Sequence, residues 1–320
     1  MLVNPKVSIV IPCPEVDSFT RESVEHCLSL DYPDFEILLL PDSEPDIDFP
    51  GMKVIPSGPV GPSEKRDLAL EYASGEIIAF IDNDAYPRED WLREGIKHFK
   101  DDDIAAVGGP AVTPPSDGLL AQASGFVFSS FLGSGSLSFR YIPKAQRYVD
   151  DYPTCNLIIR KSVLQEMGGF STFFWPGEDT KLCLEITHKL NKKIVYDPEV
   201  LVYHHRRNLF WPHLKQVWNY ALHRGYFVKA LPQTSRRFSY FIPSLFCLGL
   251  ILGIAVSFLN PVLRIMFLSI VAVYLLLALI ASLQSKCIRL IPLVFSGIIL
   301  THITYGIGFI KGLFTKEPTR

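Results

Sequence analysis

Two aspartates separated by one residue follow the most apolar short segment in the first half of the chain. Ile77–Ile81 has no polar side chain and is followed at once by Asp82-Asn83-Asp84. Two carboxylates at this spacing, at the carboxyl end of a strand, can share a hard divalent cation such as Mn²⁺ or Mg²⁺, which also binds phosphate oxygens. Such a cation would stabilise the negative charge on a departing diphosphate. A solvated turn uses the same residue types, so the spacing alone leaves both interpretations open.

Two further polar positions stand where they could join this site. Asp179, preceded by Glu178, stands at the start of a predicted helix, Thr180–Leu190. Its carboxylate could take a proton from an acceptor hydroxyl as a general base, or it could only cap the helix. His204 follows the predicted strand Leu201–Tyr203 and could complete a metal shell, or could simply be a polar residue at a strand exit. Judged one residue at a time, Asp179 is favoured as a helix cap and His204 as a polar residue at a strand exit.

These residues must be positioned by alternating strands and helices. Continuous apolar strands separated by helices predict an α/β fold with a mostly parallel twisted sheet, covered by helices on both faces. Ligands bind at the carboxyl ends of the strands in such sheets. Ser18 or Thr20 is predicted to cap the first helix and Ser63 the second, while Pro110–Pro153 is predicted to be a loose segment that is mobile or faces an acceptor. The predicted strands are Val7–Ile11, Phe35–Leu40, Met52–Ile55, Ile77–Ile81, Asn156–Arg160, Ile194–Tyr196 and Leu201–Tyr203.

Beyond residue 237 the sequence changes from mixed to strongly apolar. Three nearly uncharged segments approach the roughly 20 residues that cross a bilayer, and they are Tyr240–Leu259, Ile265–Leu283 and Leu290–Ile310. Before them, Phe210–Leu231 interleaves aromatic and basic residues, which is typical of a helix in the headgroup region. We therefore predict a catalytic domain over residues 1–208, an interfacial helix and linker over 209–237, and a multi-pass transmembrane region over 238–320.

Charge constrains both the partners and the topology. A net charge of −2 argues against a nucleic-acid partner, and the six scattered cysteines indicate neither a disulfide framework nor a zinc site. The positive-inside rule places the catalytic domain on the cytoplasmic side of the membrane. Three full spans, however, put the basic tail (Lys311, Lys316, Arg320) on the opposite side, so an arrangement in which one segment lies in the interface or re-enters stays open.

Taken together, the motifs resemble the family 2 glycosyltransferases, which have the GT-A fold. The resemblance runs from about Lys6 to His205, and its strength lies in the order of the motifs rather than in any one of them. The motifs are Val7-Ser8-Ile9-Val10-Ile11-Pro12, Gly61-Pro62-Ser63-Glu64-Lys65-Arg66-Asp67, Phe80-Ile81-Asp82-Asn83-Asp84, Val107-Gly108-Gly109-Pro110, Asn156 with Arg160, Gly168-Gly169-Phe170, Gly177-Glu178-Asp179, Asp197-Pro198 and Tyr203-His204.

The resemblance implies a role for each candidate residue. It implies a metal-assisted, inverting transfer of a sugar from a nucleotide diphosphate sugar to a lipid-linked or glycan acceptor, with a divalent metal as cofactor and membrane lipids as further partners. The implied donor-nucleotide residues are Pro12, Glu15, Asp42, Arg66 and Asp82. The implied metal ligands are Asp84, Asp82 and His204, the catalytic residues are Asp179 as base and Glu178 beside it, and Gly109, Asn156 and Trp175 belong to the acceptor and sugar region.

Three other functions are weighed against hydroxyl transfer. A polyprenyl-phosphate sugar synthase has a similar catalytic domain, but its phosphate acceptor needs no general base; the well-formed Gly177-Glu178-Asp179 places it second. A transporter is disfavoured because the three spans contain no acidic residue. A catalytically inactive scaffold would have lost the carboxylates that this chain keeps. The Gln-x-x-Arg-Trp motif of processive synthases is absent, so a single transfer is expected.

Overall fold

A computed structural model describes residues 4–45, 51–172 and 174–316. The chain divides into two compact units, the first formed by Met1–Val112 and Ile142–His205 and the second by Thr113–Tyr141 and Arg206–Thr319. Arg320, the last residue of the predicted basic tail, lies outside the described residues. The predicted domain limits at residues 208 and 237 remain a proposal.

Two sheets form the first unit. The strands are β1 Val7–Pro12, β2 Phe35–Leu40, β3 Lys53–Val54, β4 Ile77–Ile81, β5 Ala85–Pro87, β6 Ile104–Gly108, β7 Ala111–Val112, β8 Arg147–Val149, β9 Asn156–Arg160, β10 Lys193–Tyr196 and β11 Val202–His204. Eight of them form one sheet in the order β3-β2-β1-β4-β9-β6-β10-β8, and β5-β11-β7 form a smaller one. Within the larger sheet β8 and β9 run against the other strands. The predicted mostly parallel α/β fold is therefore confirmed.

Helices flank the sheet and make up the second unit. They are α1 Ser18–Leu28, α2 Pro62–Tyr72, α3 Trp91–Ile96, α4 Leu119–Ser129, α5 Phe131–Ser134, α6 Lys161–Met167, α7 Glu178–Leu184, α8 Trp211–Ala230, α9 Pro232–Ser235, α10 Phe238–Ser257, α11 Pro261–Leu283 and α12 Ile291–Phe314. Lys97–Lys100 and Gly135–Arg140 are 3₁₀ helices, and Glu185–Lys189 continues α7 as a π-helix.

Both predicted helix caps lie elsewhere. The side chain of Asp17, rather than Ser18 or Thr20, caps α1 by accepting a hydrogen bond from the Thr20 amide. Helix α2 begins after Gly61 with Pro62 in its first turn, because proline presets the helical φ and needs no amide partner there; Ser63 is already helical. The sequence offers several cap formers in a row, so the backbone path decides which one is used.

The core of the first unit lies on β1 and β4, whose residues are all buried. On β2, the Glu36 carboxylate connects two neighbouring strands and a loop, since it accepts hydrogen bonds from Ser8 on β1 at 2.6 Å, from Lys53 on β3 at 2.8 Å and from the Ser74 amide at 2.6 Å. Burial acts to raise the pKa of Glu36, but these hydrogen bonds hold it at about 2.

The second unit is helical among its described residues. Within it, α10, α11 and α12 are long and apolar enough to cross a membrane. The segment that is predicted to be loose, Pro110–Pro153, contains α4, α5 and the 3₁₀ helix that follows. Helix α4 is apolar on most of its surface and has no side-chain cap, so its sequence carries neither the periodicity nor the start signal from which a helix is recognised.

Candidate functional site

The three predicted metal ligands come together at the carboxyl end of β4. Asp82 and Asp84 follow β4 directly, and β5 begins at the next residue. Strand β11 pairs with β5 so that His204 is opposite Ala85, and its Nε2 lies 3.1 Å from Asp84 Oδ1. One donor atom from each of the three side chains lies within 4.8 Å of the others. Two carboxylates and one imidazole at this spacing suit a divalent cation such as Mn²⁺ or Mg²⁺.

A buried arginine connects this cluster with the start of α7. Arg66, on α2, donates from Nη2 to Asp82 Oδ1 at 3.0 Å and from Nη1 to Glu178 Oε1 at 2.9 Å. Only 4% of the Arg66 side chain is exposed, and 8% of Glu178. Burial acts to lower the pKa of Arg66, but the charges of Asp82 and Glu178 outweigh it, so the pKa lies above its ordinary value. The guanidinium therefore stays charged and fixes the two carboxylates relative to each other.

The surroundings of Asp82 shift the pKa of its carboxyl group. Burial raises its pKa above the ordinary value, and the neighbouring Arg66 and His204 oppose the rise, whereas Asp84 adds to it. Two carboxylates so close together are mutually repulsive when nothing lies between them. A cation bound by Asp82 and Asp84 would remove that repulsion, and this is the electrostatic feature that fits a metal.

The two predicted catalytic residues have different surroundings. Glu178 is bound on both oxygens, by Arg66 and by the Gly177 amide at 3.0 Å. Asp179 is partly exposed, and its Oδ1 accepts a hydrogen bond from the Thr180 amide at 2.7 Å. The helix begins at Glu178 after Gly177, two residues before the predicted start, so both carboxylates lie in its first turn, where the helix dipole favours negative charge. Asp179 is the one of the two that solvent can reach.

The predicted nucleotide residues lie at the ends of β1 and β2. Pro12 is buried at the end of β1, Glu15 is exposed just beyond it, and Asp42 is partly exposed after β2. Strands β1 and β2 are parallel neighbours, so their carboxyl ends share the edge that holds Asp82. A role for these residues in nucleotide binding remains a prediction.

A lysine for which the sequence predicts no role connects these strand ends. Lys65 Nζ donates to the carbonyl oxygens of Cys13 at 2.9 Å and Leu40 at 3.2 Å, to Asp42 Oδ1 at 2.5 Å and to Ser57 Oγ at 2.7 Å. Its side chain is 5% exposed, which is rare for lysine unless it is paired. A lysine and an arginine side by side on a short helix between apolar strands were the available signal, but exposed helix faces carry such pairs too.

Asp67, which follows Arg66 on α2, holds the segment after α6. Asp67 accepts hydrogen bonds from the Phe170 amide at 2.7 Å and the Ser171 amide at 3.2 Å. Gly169 has a φ of +82°, and a Cβ there would collide with the Asp67 carboxylate. The Gly168-Gly169-Phe170 motif therefore needs its second glycine for both conformation and space.

The three predicted acceptor residues differ in how far they are buried. Asn156 is fully buried, accepting a hydrogen bond from Trp91 Nε1 at 2.8 Å and donating to the carbonyl oxygens of Gly109 and Val200, both at 2.7 Å. Gly109 lies so close to Val200 that a Cβ would collide with its carbonyl oxygen. These two residues hold together the loops beside the site, whereas Trp175 is 53% exposed. Contact of any of the three with an acceptor remains a prediction.

Comparisons with known proteins agree with this geometry. The model of a protein family described as glycosyl transferase family 2 matches residues 8–168, half of the chain. The pre-mycofactocin glycosyltransferase of Mycobacterium tuberculosis is 29% identical over 147 residues, but this match covers 46% of the chain and only 30% of the relative. The chain thus spans less than a third of that relative's length.

Two further proteins are similar along nearly the whole chain. A protein of Methanococcus voltae is 22% identical over 333 residues, covering 98% of each chain, and is named dolichyl N-acetyl-alpha-D-glucosaminyl phosphate 3-beta-D-2,3-diacetamido-2,3-dideoxy-beta-D-glucuronosyltransferase. The solved structure of the mannosyltransferase PcManGT from Pyrobaculum calidifontis, in complex with GDP-Man and Mn²⁺, superimposes with a TM-score of 0.57 at 18% identity and covers 98% of this chain and 88% of that one. At this identity the likeness shows a GT-A-like fold.

Proposed function

The chain belongs to glycosyl transferase family 2, and from that we propose that it transfers a sugar from a nucleoside diphosphate sugar to a hydroxyl group of a lipid-linked glycan, with inversion at the anomeric carbon. The observation that carries the proposal is the chain of contacts from His204 through Asp84 and Asp82 to Arg66 and Glu178. It links a site for a divalent cation to a solvent-accessible carboxylate, Asp179, one residue further along.

Asp84 and His204 would hold the metal, with Asp82 as a third ligand or as a partner of metal-bound water. Mn²⁺ or Mg²⁺, when bound there, supplies positive charge to the diphosphate of the donor. Arg66 would keep both Asp82 and Glu178 in position through its hydrogen bonds to them. The donor nucleotide would lie along the edge formed by Pro12, Glu15 and Asp42, at the carboxyl ends of β1 and β2.

Asp179 is proposed as the general base. An acceptor hydroxyl attacks the anomeric carbon, the proton of that hydroxyl passes to the Asp179 carboxylate, and the bond between the anomeric carbon and the diphosphate breaks with its electron pair leaving on the diphosphate. A single displacement on the face opposite to the leaving group inverts the configuration.

The proposed acceptor is a sugar already attached to a lipid phosphate. The relative that aligns over 98% of the chain is named for action on a dolichyl-linked sugar phosphate, and α10 and α11 are long and apolar enough to hold the chain at a bilayer. The alternative is transfer to a polyprenyl phosphate itself. A phosphate oxygen is already deprotonated, so that reaction would not need Asp179. We also propose that the catalytic unit faces the cytoplasm, as the distribution of basic residues favours.

The reaction class is tested by nucleotide release in full-length protein in detergent with lipid extract. We expect one nucleoside diphosphate to be released from a panel of nucleotide sugars with Mn²⁺ or Mg²⁺, and none with chelator. Asp84→Asn should lose release and bind Mn²⁺ at least about tenfold more weakly by paramagnetic resonance, while Asp102→Asn, a change at a fully exposed side chain, should match wild type. Unchanged Mn²⁺ affinity in Asp84→Asn would remove the proposed metal site.

The base is tested separately with Asp179→Asn. Transfer to a lipid-linked sugar should fall by about 100-fold or more, since general-base catalysis typically contributes 10²–10⁴-fold, while Mn²⁺ affinity stays unchanged. Full transfer to polyprenyl phosphate by the same variant would support the alternative acceptor, and full transfer to a sugar hydroxyl would refute Asp179 as base.

A further inference from the structure

The three long apolar helices of the second unit differ in how much of each is covered by protein. In the most apolar window of each helix, 17% of α10 and 11% of α11 is buried, against 39% of α12. The exposed side chains of α10 and α11 are large and apolar, with Ile251 69%, Leu252 65% and Ile270 67% exposed. Such a surface needs a lipid environment. Among its described residues, α12 leaves only Ile307 and Phe314 in that class.

Helices α10 and α11 form an antiparallel hairpin. The rings of Phe246 and Tyr274 lie 4.5 Å apart, and further along Gly253 lies against the ring of Phe267. Residue numbers rise in one helix as they fall in the other, so the turn at Leu259–Asn260 is the tip. The opposite end, where α10 begins and α11 ends, is called the hairpin base below.

The second half of α12 follows α10 toward this base. His302 meets the hairpin at Tyr274, with 2.9 Å between Nδ1 and the phenol oxygen. From there the numbers rise in α12 and fall in α10: Ser244 donates to the Gly306 carbonyl at 2.9 Å, and the rings of Phe241 and Phe309 lie 4.9 Å apart. The carboxyl end of α12 therefore lies beside the beginning of α10.

The first half of α12 also lies toward the base, on the α11 side. Val294 and Ile298 belong to one buried apolar cluster with Ala278 of α11, and only residues 284–290 separate the end of α11 from the start of α12. A helix parallel to the hairpin axis would send one half toward the base and the other toward the tip. Both halves of α12 therefore contact the part of the hairpin that is nearer its base than its tip, so α12 does not follow α10 and α11 along their full length.

Helix α8 lies side by side with α12 and runs in the same direction. His213 Nε2 is 2.9 Å from Thr301 Oγ1 at one end, and Lys229 Nζ donates to the Thr315 carbonyl at 2.8 Å at the other. Between them Gly225 and Gly312 bring the two backbones into close contact, where a Cβ at Gly312 would collide with helix α8. Small residues at such spacing permit this approach. The two helices therefore share one orientation.

The charge of the second unit indicates the surface on which this pair lies. Residues 113–141 and 206–319 contain thirteen Lys and Arg against two Asp and Glu. Of the thirteen, only Arg264 lies near the hairpin tip. The exposed residues of α8 include Trp211 at 77% and Tyr220 at 44%, with Lys215 and Lys229 also exposed. Aromatic and basic residues together are typical of the headgroup layer of an anionic bilayer.

We propose that α8 and α12 lie together in the plane of an anionic membrane surface and that only α10 and α11 cross the bilayer. The end of α12 is then on the same side of the membrane as the beginning of α10. This arrangement places twelve of the thirteen basic residues of the unit on one side, in agreement with the positive-inside rule, whereas three crossings would move Lys311 and Lys316 to the far side with Arg264.

Single-cysteine labelling in sealed membrane vesicles tests the sidedness. Five of the six native cysteines are buried, so Cys287→Ser provides the background. Lys316→Cys reports the end of α12, Gln233→Cys the side on which α10 begins, and Leu259→Cys the tip. With a membrane-impermeant maleimide, Lys316→Cys should label in the vesicles in which Gln233→Cys labels. Labelling together with Leu259→Cys instead would overturn the proposal.

Two further measurements test the side on which α12 ends and the depth of α12 in the membrane. A fluorescent protein that folds only in the cytosol, fused after Arg320 of the unmodified chain, reports the same side if a cysteine variant does not fold; fluorescence supports the proposal, and its loss in membrane-inserted protein contradicts it. Nitroxides at Ile307 and at Leu252 report depth in phosphatidylglycerol-containing vesicles. The Ile307 label should be the more accessible to a water-soluble nickel chelate by several-fold, and equal depth would refute an in-plane α12.

Discussion

Replacement of Arg66 by methionine should destabilise the first unit by more than the loss of a surface ion pair would. The side chain is 4% exposed and holds Glu178, which is 8% exposed, and Asp82, whose side chain is one-third exposed. Arg66→Met leaves the Glu178 carboxylate buried without its cation, and removal of one partner of a buried ion pair costs about 3–5 kcal/mol. Solvent screens Asp82, so it adds little to that figure.

The measurement is the midpoint of thermal unfolding of the full chain in detergent, followed by the fluorescence of Trp91, which is buried in the first unit, after the other three tryptophans have been replaced by phenylalanine in every protein compared. A loss of about 4 kcal/mol lowers the midpoint of a unit of this size by about 10 °C. The control is Arg93→Met, because Arg93 is 49% exposed and pairs with the exposed Asp31; an exposed pair contributes about 1 kcal/mol or less.

A second variant separates the loss of the ion pair from the loss of the side-chain volume. Arg66→Met combined with Glu178→Gln no longer buries a lone carboxylate and should recover roughly half of the lost stability. If the double variant is no more stable than Arg66→Met alone, the stranded charge is not the cause. If Arg66→Met unfolds within about 1 °C of wild type, the buried bridge contributes nothing.

Three further outcomes follow from contacts described above. Glu36→Gln should lower the free energy of unfolding by roughly 3 kcal/mol at pH 7, because the pKa of Glu36 is held at about 2 against an ordinary 4.5. As the pH falls from about 4.5 toward 2, the wild type should lose this extra stability while the variant does not. A difference in stability between the two proteins that persists at about pH 2 would contradict this coupling of protonation to folding. Lys65→Met should weaken nucleoside diphosphate binding at least about tenfold in a calorimetric titration, since its four hydrogen bonds hold the ends of β1 and β2; unchanged affinity would show that these ends do not bind the nucleotide. Gly312→Leu should separate α8 from α12 and speed proteolysis within α8, because its side chain would enter the backbone of Leu222; equal cleavage rates in the variant and wild type would refute that packing.

The strands and the metal cluster were predictable from sequence for a common reason. The apolar runs that end before Pro41 and before Asp82 give β2 and β4 with the observed limits, because a strand covered on both faces is mostly apolar. Once β4 is placed, Asp82 and Asp84 must lie at its carboxyl end. His204 joins them only through the pairing of β11 with β5, which no local pattern reveals, and the family resemblance supplied that link.

The roles of the charged residues on α2 could not be predicted. Hydrophobic periodicity identifies the face of a helix that is buried, and α2 buries Lys65 and Arg66 where that rule expects apolar side chains. Their partners come from β1, β2, β4 and α7, far apart in the sequence. The same limit applies to α12: its composition indicates a membrane span, whereas its angle to α10 and α11 depends on tertiary contacts alone.

The three consecutive charged residues of α2 also limit where a residue can be inserted into this helix. Lys65, Arg66 and Asp67 reach three different segments from less than one helical turn. With the start of the helix held at Pro62, one residue inserted before Lys65 would rotate all three by about 100° and release the strand ends, the carboxylates and the glycine loop in a single step. An insertion near Tyr72, which is 48% exposed, would leave them in place. Insertions should therefore be tolerated at the carboxyl end of this helix, whereas insertions at its amino end should disrupt the site.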